Sequence, residues 1–449
     1  MFNRIVAIST VVAALIFAVQ TSAQRTITID DAISLSLKHN KSVQVARLAI
    51  QKADARVAEA LGSALPTLGV TAGYTRNLQL PVFFLPNFDN PSSGPTPVTI
   101  GLNNQYIVQA QAQQLLFNSA VLTGIGASKI YLQAAQAQLA AAEAQAVTDT
   151  KKRFYGALLT RELDTIARAT LANAEETYRT IGALFKEGLV AEFDQIRTEV
   201  ALDNIRPLVT DAELAYTNAL GALVLQLGLE PTESIVPVGE FSDAAITILA
   251  EDEATRRALQ YNYELKALDY QVRVTKEFID INRSDYFPTL ALFGMWQNQG
   301  QSETFSNWVS ASSSAVGLNF SINIFNGFRT QAKVEQSSVD YLTIQQQYAQ
   351  LSDFTRFQVR TGLNTLKSAR LRIEALRATV RQAERGLEIS RIRYNEGTGN
   401  LLEISDAETA LARARVNRVQ ALHDYVVAVA DYERVVGLVN PQYITPVKD

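Results

Sequence analysis

The sequence contains no cysteine, which excludes disulfides, thiolate metal sites, a cysteine nucleophile and lipidation of an N-terminal cysteine. Histidine is almost as scarce: His39 and His423 are the only two, and each falls in a segment that reads as ordinary helix. A zinc centre with histidine ligands would need most of that supply at one point. Beyond the initiator, Met295 is the one thioether, which argues against a relay for soft metals inside this chain. No metal and no cofactor is therefore expected. Excess positive charge is missing too. Lys and Arg number 41 against 45 Asp and Glu, the formal net charge is −4, and no basic tract stands out, which argues against nucleic acid as a partner. After residue 23 no apolar run approaches the roughly 20 residues of a membrane-spanning helix.

Proline is absent between Pro97 and Pro207 and between Pro288 and Pro441, and those stretches are dense in Ala, Gln, Glu, Leu and Arg. They predict very long helices. The first runs from about Ser119 to Lys186, on the order of 100 Å at about 1.5 Å per residue, too long for a compact globule. Nine of the twenty positions at 127–146 are alanine, so neighbouring helices can approach closely and pack as in a coiled coil. Pro207 interrupts a later helical segment and predicts a kink or a boundary there. At the start of the chain, Arg4, the apolar stretch 5–19 and the small residues Thr21, Ser22 and Ala23 read as a secretory signal peptide at 1–23, too short to span a bilayer. The chain is thus read as exported.

The rest divides into two similar halves, 24–231 and 232–449. An offset of 222 pairs Asn40 with Asn262, Leu65-Pro66-Thr67-Leu68 with Phe287-Pro288-Thr289-Leu290, and Tyr74 with Trp296. Phe117-Asn118 matches Phe325-Asn326. An offset of 209 then pairs Phe185-Lys186-Glu187-Gly188 with Tyr394-Asn395-Glu396-Gly397, Glu199 with Glu408, Tyr216 with Tyr425 and Gly228 with Gly437. The change of offset reflects an extra loop in the first half near 81–97, which holds five of the twelve prolines together with Phe83, Phe84 and Phe88.

Each half carries a pair of strand-like segments, at about 67–117 and about 289–326. In 105–113 one face is Gln105, Gln109, Gln111 and Gln113 with Ile107, and the other is Tyr106, Val108, Ala110 and Ala112. In 316–324 the apolar face is Val316, Leu318, Phe320, Ile322 and Ile324. Weaker partners lie at 67–74 and 289–297. Segments of about ten residues, apolar on one face and amide- or hydroxyl-lined on the other, suit a membrane barrel with a greasy outside and a wet lumen. A soluble sheet of two hairpins packed on helices is the other reading of this pattern. Four strands cannot close a membrane barrel, which needs about eight, so membrane insertion implies oligomers of two, three or four chains. Tyr74, Tyr106, Trp296, Phe305 and Trp308 are candidates for the membrane interfaces.

At 27–40 the chain reads Ile-Thr-Ile-Asp-Asp-Ala-Ile-Ser-Leu-Ser-Leu-Lys-His-Asn, with Thr28 and Asp31 placed as a capping pair. Together with Leu65-Pro66-Thr67-Leu68 and its echo at Pro288, Gln-Leu-Leu-Phe-Asn at 114–118, Ile-Asn-Ile-Phe-Asn-Gly at 322–327, and Arg-Tyr-Asn-Glu-Gly-Thr-Gly-Asn-Leu-Leu-Glu-Ile-Ser-Asp-Ala-Glu at 393–408, it resembles the TolC family of bacterial outer-membrane export channels. The match covers essentially the whole chain after residue 23. The resemblance implies a mainly α fold with a membrane β-barrel: a homotrimer whose twelve-stranded barrel continues into a long α-helical barrel across the periplasm. It implies a passive, non-enzymatic exit duct, opened where it meets a periplasmic adaptor protein and, through it, an inner-membrane transporter.

Helix-turn-helix tips resembling those of the family lie at about 185–195 and 394–402. The turns facing the adaptor would be Glu187-Gly188-Leu189 and Glu396-Gly397-Thr398, where glycine suits a tight reversal between antiparallel helices. In the family a tyrosine-and-arginine linkage and rings of acidic residues nearly close the periplasmic mouth. Tyr394 falls on the tyrosine position, Asp194 and Asp406 on aspartate positions, and Glu403 where an aspartate is usual; the arginine position is Gly399. Glu403 and Asp406 are three apart on one helix face, so a three-fold axis would gather six carboxylates into a cation-attracting ring; a solvated acidic face near a helix start is the plainer reading of that spacing. A soluble periplasmic coiled-coil scaffold or adaptor would use the same long helices without needing the alternating strands. Gly124-Ile-Gly126-Ala-Ser-Lys129 lacks the spacing of a phosphate loop, and no paired carboxylates imply an enzymatic cleft.

Overall fold

In a computed structural model, residues 25–86, 94–241 and 248–447 are described. The expected signal peptide at 1–23 and Phe88 lie outside them. Among the described residues the order is β1 (Arg25–Ile27), α1 (Ile29–His39), α2 (Lys41–Gly62), β2 (Thr67–Arg76), β3 (Val82–Leu85), β4 (Thr96–Thr99), β5 (Asn104–Asn118), α3 (Ser119–Lys186), α4 (Glu192–Leu227), β6 (Ile235–Pro237), α5 (Glu251–Tyr261), α6 (Tyr263–Arg283), β7 (Thr289–Ser302), β8 (Val309–Ser321), α7 (Arg329–Asn395) and α8 (Leu401–Val436). Two helices exceed 65 residues: α3 with 68 and α7 with 67. The chain falls into two compact units, each drawing on both halves of the sequence.

The first unit comprises 1–49, 135–267 and 349–449. Its apolar clusters repeat the duplication. Ala32, Phe154, Leu158, Leu223 and Leu227 join α1, α3 and α4, while Ala258, Val359, Leu366, Tyr432 and Val436 join α5, α7 and α8. Small residues such as Ala157, Ala254 and Ala421, all fully buried, let these helices pack closely. Thr28 caps α1 as expected, its side chain accepting from the Asp31 N–H while the Asp31 carboxylate takes the Thr28 N–H. Pro207 lies inside α4 and is not a boundary. A short parallel pair, β1 with β6, was not separable from its surroundings by pattern, because three residues carry no period.

A duplicated joint ends α4 and α8. Gly228 and Gly437 both take φ of +69°, and the following N–H groups return to Val224 and Glu433 carbonyls, closing Schellman turns. Asn40 Nδ2 donates to the Gln226 carbonyl at 2.9 Å and Asn262 Nδ2 to the Val435 carbonyl at 3.0 Å. Each asparagine also accepts, through Oδ1, the N–H two residues on, Ser42 or Glu264, at the start of α2 or α6. One amide therefore caps the next helix and receives the end of another, which explains why Asn and Gly recur together in both halves.

The second unit, 50–134 and 268–348, holds a four-stranded antiparallel sheet in the order β2-β5-β7-β8. Cross-strand pairs put like with like: Leu68 with Ala112, Val70 with Ala110, Tyr74 with Tyr106, Leu292 with Leu318 and Leu290 with Phe320. One residue along, Gln109 pairs with Thr71 on one side and Gln297 on the other, and Gln105 with Gln301. The register thus separates an apolar face from an amide-lined one. The ladder differs from the expected strands at β8. It ends at Ser321, short of Ile322 and Ile324, because the next partner would be Pro288, which has no N–H to give. It begins at Val309, where Ser-Ala-Ser-Ser-Ser-Ala has little intrinsic strand preference and pairing with β7 imposes the conformation. The extra loop also holds structure: β3 pairs antiparallel with β4.

Candidate functional site

Both tip turns belong to the first unit and share one geometry. Gly188 (φ +73°) follows α3, and its N–H and that of Leu189 return to Phe185 and Leu184, each at 2.9 Å. Gly397 (φ +72°) follows α7, with its N–H on the Tyr394 carbonyl at 3.0 Å and that of Thr398 on Arg393 at 2.9 Å. A side chain at either glycine would have to adopt the left-handed conformation that only glycine takes freely. Glu187, Leu189, Glu396 and Thr398 are all exposed around these turns.

The second tip is braced by side chains and the first is not. The Thr398 hydroxyl donates to the Arg393 carbonyl at 3.2 Å, the Arg393 guanidinium donates to the Thr398 carbonyl at 3.2 Å, and Asn400 caps α8 by accepting the Glu403 N–H at 3.0 Å. At the first tip the capping position is Ala191, which offers no side-chain acceptor.

The residues matched to a gate are placed unequally. Arg393 Nη1 lies 3.0 Å from Glu403 Oε2, so Glu403 is paired within its own hairpin. Asp406, one turn further along α8, is exposed. Tyr394 packs with Leu387, Ile404 and Leu411, and burial raises its pKa above the ordinary phenol value, with the Asp194 carboxylate adding to the shift. Asp194, which belongs to the other hairpin, thus disfavours only the ionised form of Tyr394. Gly399 has a physical reason of its own. A Cβ there would stand 3.0 Å from Arg393 Cβ and 3.2 Å from Glu403 Oε2, so a larger residue would press on the ion pair. Arg393 was not singled out by sequence reasoning, although a basic residue next to Tyr394, six before Gly399, was the available signal. Nor was the cleft of about 340 Å³ beside the tips, lined by Thr177, Arg197, Ala201, Leu401, Glu408 and Arg413.

At the end of the sheet where β7 turns into β8, four of the five interface candidates come together, Tyr74 and Tyr106 from strands and Phe305 and Trp308 from the connection. Trp308 lies 5.0 Å from the Tyr106 ring and 5.9 Å from Phe305, and Tyr74 lies 5.7 Å from Phe305. Trp296 pairs instead with Ala110 and Ser314 within the strands. The Tyr106 hydroxyl donates to Asn298 Oδ1 at 2.7 Å, and Asn298 Nδ2 to Ser312 Oγ at 2.9 Å, so the apolar face ends at a hydrogen-bonded row. Among the described residues no helix is long and apolar enough to cross a membrane.

The family model described as outer membrane efflux protein matches residues 32–229 and again 254–438, one match in each half. The chain belongs to that family. The outer membrane efflux proteins similar to it include outer membrane protein TolC of Vibrio cholerae, 21% identical over 85% of this chain and 84% of that protein. The alkaline protease secretion protein AprF of Pseudomonas aeruginosa is 26% identical over 64% of this chain and 60% of its own length. In fold, the CmeC outer membrane channel of Campylobacter jejuni superposes with a TM-score of 0.77 at 18% identity, covering 91% of this chain and 85% of that one. Membership places this efflux-family protein in the outer membrane and its role in the exit of material from the cell.

Proposed function

We propose that three copies of the chain form the exit duct of a tripartite efflux or secretion system. The observation that carries this reading is the four-stranded sheet: apolar on one face, amide-lined on the other, and open at both edges, β2 and β8. Open edges are not tolerated in lipid, so the sheet needs copies of itself to close. Three copies give a twelve-stranded barrel, continuous with a helical barrel in the periplasm, with the two repeats 24–231 and 232–449 supplying two strands and one hairpin tip each. The conduit is passive. Its periplasmic end is held by contacts around Asp194, Tyr394, Glu403 and Asp406, and the turns Glu187-Gly188-Leu189 and Glu396-Gly397-Thr398 meet a periplasmic adaptor that links the channel to an inner-membrane transporter.

The test is the location and mass of the full-length protein. Membranes are separated, the protein is extracted in detergent, and its mass is measured by light scattering. An outer-membrane particle of three chains is expected. A soluble monomer that never enters the membrane would replace the duct with a periplasmic coiled-coil scaffold.

A further inference from the structure

Between β2 and β5 the chain makes an excursion that the duct reading does not use. It begins where the Asn77 N–H donates to the Asn103 carbonyl at 2.7 Å and the Asn77 amide to the Leu102 carbonyl at 3.2 Å. It passes Gly101, whose φ of +107° only glycine adopts without strain, and re-forms a ladder as β3 and β4. The arm is apolar on both faces. Val82 and Phe84 alternate with Phe83 and Leu85, Val98 faces Phe83, and all of these are exposed, as are Leu78 and Ile100.

Three observations say what covers it. The stretch 77–103 contains no lysine or arginine and a single acid, Asp89, so it has no groups for an anionic membrane surface. A two-stranded arm with both outer edges unpaired cannot rest in the hydrocarbon, where no water is present to satisfy its free backbone groups. Its reach is sufficient to meet its own copies. The chain from Asn77 to Leu85, with bends at 78 and 79, reaches at most about 26 Å at about 3.3 Å per residue, against a radius of about 12 Å for twelve strands roughly 4.8 Å apart and tilted about 40°.

We infer that the β3–β4 arms of neighbouring copies pack on one another over the barrel mouth, forming an apolar constriction from Val82, Phe83, Phe84 and Leu85. The inference rests on the trimeric reading above. Uncharged arms approach one another without repulsion, and their open edges and exposed phenylalanines are buried together. An apolar ring of this kind narrows the path for ions by dewetting.

The absence of cysteine makes the test clean. Phe84→Cys places one thiol per chain; the variant is extracted in detergent, its mass measured, and an oxidant added. Disulfide-linked pairs of chains are expected, because only thiols brought to within bonding distance can join. Replacing 81–100 by a short Gly-Ser turn is expected to raise single-channel conductance in planar bilayers by roughly twofold or more. A three-chain particle that gives neither disulfides nor a conductance change overturns the arm contact alone. A three-chain particle in which a fluorophore attached to the introduced thiol is quenched by brominated lipid overturns it in favour of a membrane contact. A particle that is not of three chains overturns the trimeric reading first, whatever the thiols do.

Discussion

Arg393 changes the charge that the second tip presents. Glu403 and Asp406 share a helix face, yet only Asp406 stands free of the guanidinium, so in the proposed trimer a three-fold ring would carry three uncompensated carboxylates where spacing alone suggests six. An exposed ion pair of this kind adds little stability, on the order of 0–1 kcal/mol, but it cancels charge one for one. Arg393→Ala is therefore expected to strengthen cation preference and Asp406→Asn to weaken it, read as reversal potentials under a salt gradient in planar bilayers. Arg393→Ala combined with Glu403→Gln removes both members of the pair and is expected to restore the original value. Insensitivity to Arg393→Ala would take this pair out of the ion path.

At the scale of elements, the sheet is where alternation becomes a surface. Val70 and Thr71 are neighbours in β2 with opposite surroundings: Val70 pairs with Ala110 on the apolar face, and Thr71 with Gln109 on the amide-lined one. Val70→Arg is expected to cost about 2–4 kcal/mol of insertion and to lower outer-membrane yield sharply, whereas Thr71→Arg leaves yield intact. Quantitative blotting of membrane fractions decides it; equal losses from both substitutions would mean that the faces are misassigned. The alternation of 105–113 was readable because Gln and Ala or Val differ strongly in polarity. The serine-rich half of β8 and the three-residue strands were not, because small or few residues carry no period and pairing decides their conformation.

At the scale of the whole molecule, the duplication is held at two equivalent joints rather than merely inherited. A Cβ at Gly437 would sit 2.6 Å from the Tyr261 carbonyl oxygen, and the matching Cβ at Gly228 would overlap the His39 carbonyl. Backbone cannot yield as a flexible side chain would. Gly437→Ala combines that overlap with a left-handed conformation and is expected to destabilise by at least about 2 kcal/mol, seen as a lower denaturant midpoint of the helical signal. Gly386→Ala, at a helical position with open space around it, is the matched control and is expected to hold or raise the midpoint, since alanine favours a helix interior over glycine by about 0.5–1 kcal/mol. A midpoint unmoved by Gly437→Ala would mean that this joint relaxes freely.

Composition, proline spacing and internal repetition by themselves determined the long helices, the two halves and the apolar-and-amide alternation, because each is a local or periodic property that survives without knowledge of contacts. Fourfold recurrence of glycine at helix ends, at 188, 228, 397 and 437, was legible for the same reason, since the left-handed turn is a property of the glycine itself. Only the tertiary structure decided that Glu403 is neutralised by Arg393, that Asn40 and Asn262 each serve two helices, and that the proline-rich loop is an apolar arm. Those outcomes depend on which groups meet after the chain reverses direction, and a linear sequence carries no distance across a turn.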